Sequence, residues 1–110
     1  MKDVLRIQIA VKVITKENDF NYYYEKEDTT FYSICYLKQS RNTIKPYDTD
    51  AFVKDDIYYL SFFFKLHLSS SPPKLSFGLH IFDGTKDIEP IIKIVDISAY
   101  TKDGRIDFSL

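Results

Sequence analysis

With 110 residues, 45% of them hydrophobic and 28% charged, the chain has the size and balance of one globular domain, which excludes a disordered segment. A net charge of -1 gives no general pull toward nucleic acid or an anionic membrane, and three Gly with four Pro exclude collagen-like or linker sequence. The single cysteine, Cys35, excludes an internal disulfide and a cysteine-built metal centre. No run approaches the roughly 18 apolar residues of a membrane-spanning helix, and Arg6, Gln8 and Lys12 interrupt any apolar signal core near the first residue. These features predict a soluble protein of a reducing, cytoplasmic compartment. The abundance of Ile, Lys, Tyr, Phe and Asp matches the coding bias of AT-rich microbes and their viruses.

Period-two alternation dominates the chain. Ile7, Ile9, Val11 and Val13 share one face of a strand over 4–14, with Arg6, Gln8, Ala10 and Lys12 on the other. After the polar break TKEND, the run FNYYYE (20–25) is predicted as a second strand, with Phe20, Tyr22 and Tyr24 inward and Tyr23 outward. Residues 30–38 form a third, with Phe31, Ser33, Cys35 and Leu37 opposing Tyr32, Ile34 and Tyr36. The stretch 39–56 is the longest irregular segment, with room for a short turn or small strand. The run IYYLSFFFKLHL (57–68) alternates most clearly. Its even positions, Tyr58, Leu60, Phe62, Phe64, Leu66 and Leu68, are predicted core, and its odd positions outward. SSSPPK ends it, because proline cannot donate to a ladder. KLSFGLHIF (74–82) places Leu75, Phe77, Leu79 and Ile81 inward and Ser76, Gly78, His80 and Phe82 outward. Residues 91–98 and 105–110 complete the set, with the Asp103–Gly104 pair as a hairpin signal between them. About seven short antiparallel strands predict a single all-β domain, a β-sandwich, with a small β-barrel as the alternative.

If 57–68 and 74–82 form a hairpin, Tyr59, Phe63, His67, His80 and Phe82 share one outer face. Aromatic rings with polar tips suit a protein interface or sugar stacking, and Gly78 would admit a close approach. Alternating strands would also gather Glu17, Asp19, Asp48, Asp50, Asp55, Asp56, Asp83, Asp87 and Glu89 at one end. Carboxylates from several loops are what calcium needs, yet lysines dilute them and no EF-hand spacing exists. His67 with His80 lacks a third metal ligand. Cys35 lies in an apolar strand and reads as a packed thiol, and no nucleophile, metalloprotease or nucleotide-binding motif occurs. Lys38, Arg41 and Lys45 near Tyr47 are offset by Asp48 and Asp50, against single-stranded nucleic acid. The sequence thus points to a non-enzymatic module without a cofactor, needing neither metal, membrane nor nucleic acid. It binds a protein partner, a second copy of itself included, in the manner of a microbial or viral accessory protein. A carbohydrate-binding module is the alternative.

Overall fold

Alternation in the opening strand governs the architecture. Leu5, Ile7, Ile9, Val11 and Val13 point to one side of β1 (Asp3–Ile14), and all are buried. The structure, a computed structural model, describes residues 3–67 and 73–106. Beyond β1, its elements are α1 (Phe20–Glu25), β2 (Thr30–Gln39), β3 (Asn42–Ile44), β4 (Asp48–Lys54) and β5 (Ile57–Leu66). There follow β6 (Lys74–Phe82), β7 (Asp87–Ile88), β8 (Ile91–Thr101) and β9 (Gly104–Ile106). One sheet runs β4-β5-β1-β8-β9 and the other β3-β2-β6-β7, with every pairing antiparallel. The expected β-sandwich is what forms, two separate sheets rather than a closed barrel.

Between the sheets lie Phe62, Phe64, Leu60 and Leu66 of β5 and the inward row of β1, facing Cys35 and Leu37 of β2 and Leu75, Leu79 and Ile81 of β6. Phe62 meets Phe77 edge-on across the core at 6.1 Å. Burying side chains of this size stabilises by about 1.5–3 kcal/mol each. The parities read for 57–66 and 74–82 hold, except that outward Ser61 is also buried and inward Phe77 only partly. Leu68 and residues 107–110 of the expected last strand lie outside the described residues.

Two expectations about secondary structure fail. Residues 20–25 form a helix, not a strand. Asp19 caps it, its carboxylate accepting the Tyr22 amide at 2.8 Å. Phe20 and Tyr23, three apart, are the buried pair, while Tyr22 and Tyr24 are 49% and 45% exposed. The expected inner trio is therefore split, and Tyr23, expected outside, is inside. Phe20, Tyr24, Phe31 and Tyr58 then close one end of the core as a ring cluster, with centroids 5.3–6.2 Å apart. The second correction concerns 39–56, which holds β3 and β4 rather than a mostly irregular loop. Asp55 and Asp56, both at positive φ (53° and 64°), form the two-residue turn that joins β4 to β5, the handedness that hairpins require. The hairpin expected at 101–105 is present, with Thr101 opposite Gly104 at φ 117°.

Candidate functional site

β5 and β6 do not pair. Each has one fully apolar side, and burial is greatest when those sides face each other across the core rather than lying edge to edge. β5 consequently sits in the five-stranded sheet and β6 in the four-stranded one, so the five residues expected on one outer face are divided. Tyr59 and Phe63 lie half-buried on the outer face of the five-stranded sheet. His67 is exposed just past β5, its backbone carbonyl accepting from Gln39 Nε2 at 2.8 Å. His80 and Phe82 lie on the outer face of the other sheet, where His80 Nε2 is 3.0 Å from Asp87 Oδ1.

Cross-strand register builds the outer face of the five-stranded sheet in rows. One row is Asp48–Phe63–Arg6–Tyr100, the next Asp50–Ser61–Gln8–Ser98, and the third Phe52–Tyr59–Ala10–Asp96. Two residues along a strand separate neighbouring rows, so the aromatic first and third rows are about 13 Å apart with a polar row between. In the first, Tyr47 packs on Phe63 at 6.3 Å, Arg6 stands 5.9 Å over Phe63, and Lys65 lies 4.8 Å over Tyr47. In the third, Phe52 and Tyr59 stack at 4.8 Å with an interplanar angle of 10°. Arg6 also donates to Ser61 at 3.4 Å. Tyr47 and Phe52 are 53% and 44% exposed. Phe52 lies in a strand that the polar composition of 39–56 conceals, and Tyr47 just before it. The signal that finds them is the alternation of Thr49, Ala51 and Val53 with Asp48, Asp50, Phe52 and Lys54.

The outer face of the four-stranded sheet is more apolar. Tyr32 lies opposite His80, Ile34 opposite Gly78, Tyr36 opposite Ser76 and Thr30 opposite Phe82.

The acidic loops are partly gathered at one end and largely occupied there. Glu17 pairs with Lys86 at 3.2 Å, and Asp56 accepts from Asn21 at 3.1 Å. Asp83 accepts the amides of Thr85 and Lys86 and the Thr85 hydroxyl; these bonds hold its carboxyl down at about 2. Asp48 and Asp50 sit instead within β4. Among the described residues no three His, Cys, Asp or Glu side chains are grouped as a metal would require. A depression of about 340 Å³ at that end is lined by Lys16, Glu17, Tyr23, Lys86, Asp87, Ile88 and Glu89. Cys35 is buried, and desolvation pushes its thiol up to about 12, so it is a packed group rather than a nucleophile.

No protein-family model, no curated protein and no solved structure matches this chain. Among the described residues no helix is long and apolar enough to cross a membrane.

Proposed function

We propose that the chain is a non-enzymatic binding module that presents the outer face of its five-stranded sheet to a protein partner. The observation that carries this reading is the pairing of two aromatic rows with Arg6 and a polar row between them. Tyr and Arg on a sheet face, with Asp48, Lys54, Lys65 and Asp96 around them, have the composition of interface hot spots and rims. The cations are already held over ring faces, so little side-chain freedom is lost on docking. A sugar would require ring faces lying open along the sheet. Here the stack of Phe52 on Tyr59 takes up one face of each ring, which favours protein over carbohydrate. From the residue bias and the lone buried thiol, the setting is a reducing compartment of a microbe or its virus.

The test is site-directed photo-crosslinking in the source cells, with a benzophenone side chain at position 52 or, as a control, at position 102. A single adduct from position 52, lost on competition with untagged protein, is expected. Light scattering over a dilution series tells a foreign partner from a second copy. Equal labelling from both positions, or binding to immobilised glycans that Phe52→Ala abolishes, would overturn the reading.

A further inference from the structure

The two sheets are unequal, and the missing strand leaves a slot. β2 pairs with β6 from Thr30 to Lys38, but on its other side β3 reaches only Leu37–Gln39. Thr30–Tyr36 therefore has an open backbone edge among the described residues. β4 is the edge strand beside β5, which meets β2 through Phe31 and Tyr58, and only residues 45–47 join β4 to β3; β4 therefore lies on the open side of β2. Thr49, Ala51 and Val53 lie opposite the buried residues Phe62, Leu60 and Tyr58 of β5, which assigns them to the inner face. Thr49 and Ala51 are nevertheless exposed, and the second sheet has no strand beyond β3 on that side among the described residues.

The neighbouring edge is guarded. On β4, the carboxylates of Asp48 and Asp50 each take the next backbone amide, Thr49 and Ala51, at 2.9 Å. Acceptors held on those amides, and negative charge along the strand, repel an incoming carbonyl. Thr30–Tyr36 carries no charge, and it has no counterpart of Asp48 or Asp50.

We infer that the Thr30–Tyr36 edge receives an extended peptide strand from a partner protein, completing the four-stranded sheet over β4. Charge sets its direction and chemistry. Glu25, Glu27, Asp28, Asp55 and Asp56 lie toward the Thr30 end, against Lys54 and Lys26, and Lys26 is already donating to the Asp83 carbonyl. Lys38, Arg41, Lys45 and Lys74 lie at the Tyr36 end, against Asp48 and Asp50, which belong to the outer face of the other sheet and have their carboxylates held on the β4 edge amides. An antiparallel strand, the geometry of every pairing in this fold, starts at the basic end. It is therefore acidic at its first residues, uncharged with alternating mid-sized apolar residues through the middle, and cationic at its last. A second copy paired β2 to β2 would bring its own β4 against the first, so one strand fits the slot where a whole domain does not. This surface is separate from the aromatic rows and independent of them.

The probe is a phage-displayed library of linear nine-residue peptides panned on the whole protein. Enriched sequences are expected to read acidic, then alternating apolar without proline, then basic. The synthesised winner should lose about tenfold in affinity with Ile34→Lys, with Ala51→Phe and on reversal of its terminal charges. Both substituted positions are exposed, so melting temperatures should hold. Phe52→Ala should leave peptide affinity unchanged, which separates this edge from the proposed docking face. Peptide binding should slow amide exchange across Thr30–Tyr36. Winners lacking the pattern, or affinity indifferent to both slot variants, would sink the inference. So would a doubled solution mass that Ile34→Lys abolishes, which would give the edge to a second copy.

Discussion

Two aromatic triplets of the same chain take opposite forms. Phe62–Phe63–Phe64 is extended, so its middle ring points away from its neighbours: Phe62 and Phe64 are 1% and 0% exposed, and Phe63 is half-buried outside. Tyr22–Tyr23–Tyr24 is helical, and there the middle ring is the buried one, at 2%. Aromatic residues favour strands, yet that preference spans only about 1 kcal/mol and yields to context. What differs is the flank. The phenylalanines continue a period-two pattern ten residues long, whereas the tyrosines follow Asp19, whose carboxylate captures the amide three residues on. A short aromatic run therefore takes its conformation from what precedes it.

The largest effect that tests the contrast lies in the strand. Phe64→Ala should cost about 3–5 kcal/mol, because the core cannot collapse around the lost ring. Phe63→Ala should cost no more than about 1 kcal/mol, by losing its contacts with Tyr47 and Arg6. Thermal melts of the two variants, expected about 10–20 °C apart, check this directly. Equal losses would mean that the outer face is a structural layer rather than a surface kept for a partner.

Next in size is the helix. Tyr23→Ala should cost about 2–4 kcal/mol, since the ring is buried and its hydroxyl accepts from Asn18 at 3.5 Å. Tyr22→Ala should fall within about 1 kcal/mol. If residues 20–25 were extended, the ranking would reverse, so urea midpoints of the pair decide between helix and strand.

Long alternating strands were readable because one face of each must be buried and the period is unambiguous: Ile7 to Val13, Tyr58 to Leu66 and Leu75 to Ile81 sort themselves. The sandwich follows from such strands. Their partners did not, since alternation shows which face is inward but not whether two inward faces sit side by side or opposite. For that reason Tyr59 and Phe63 part from His80 and Phe82. β4 was obscured by polarity: Asp48, Thr49, Asp50 and Ala51 resemble a loop because this strand, Val53 apart, is exposed on both faces. The same exposure conceals the slot at β2.

Cys35 gives a parity test in the third aromatic-rich strand, where Tyr32 and Ile34 are exposed and Cys35 is not. With the thiol pushed from 9.0 to about 12, the folded state holds it protonated. That contribution to stability is complete below pH 9.0, the unfolded value, and is lost as pH rises toward about 12. At pH 8 a thiol reagent should label Cys35 only as fast as the strand opens, and urea should accelerate labelling. Immediate full labelling in buffer would place Cys35 on the outer face and invert the parity of β2.

The smallest effect is the most specific. Asp19→Ala should cost about 1 kcal/mol, the usual worth of an N-cap, with Asp19→Asn or Asp19→Ser recovering most of it because either side chain still offers an oxygen to the Tyr22 amide. The loss should be local: amide exchange should quicken at Tyr22 and through the turn to Lys26, whose amide bonds the Tyr22 carbonyl at 3.2 Å, while β5 stays protected. A cap that moves α1 but not β5 is what separates the two triplets. Phe62 and Phe64 are held by the whole core, and the tyrosines by one carboxylate and the buried pair Phe20 and Tyr23. Were Asp19→Ala instead to loosen both, α1 would be an integral support of the sandwich rather than a lid over the Phe31–Tyr58 end.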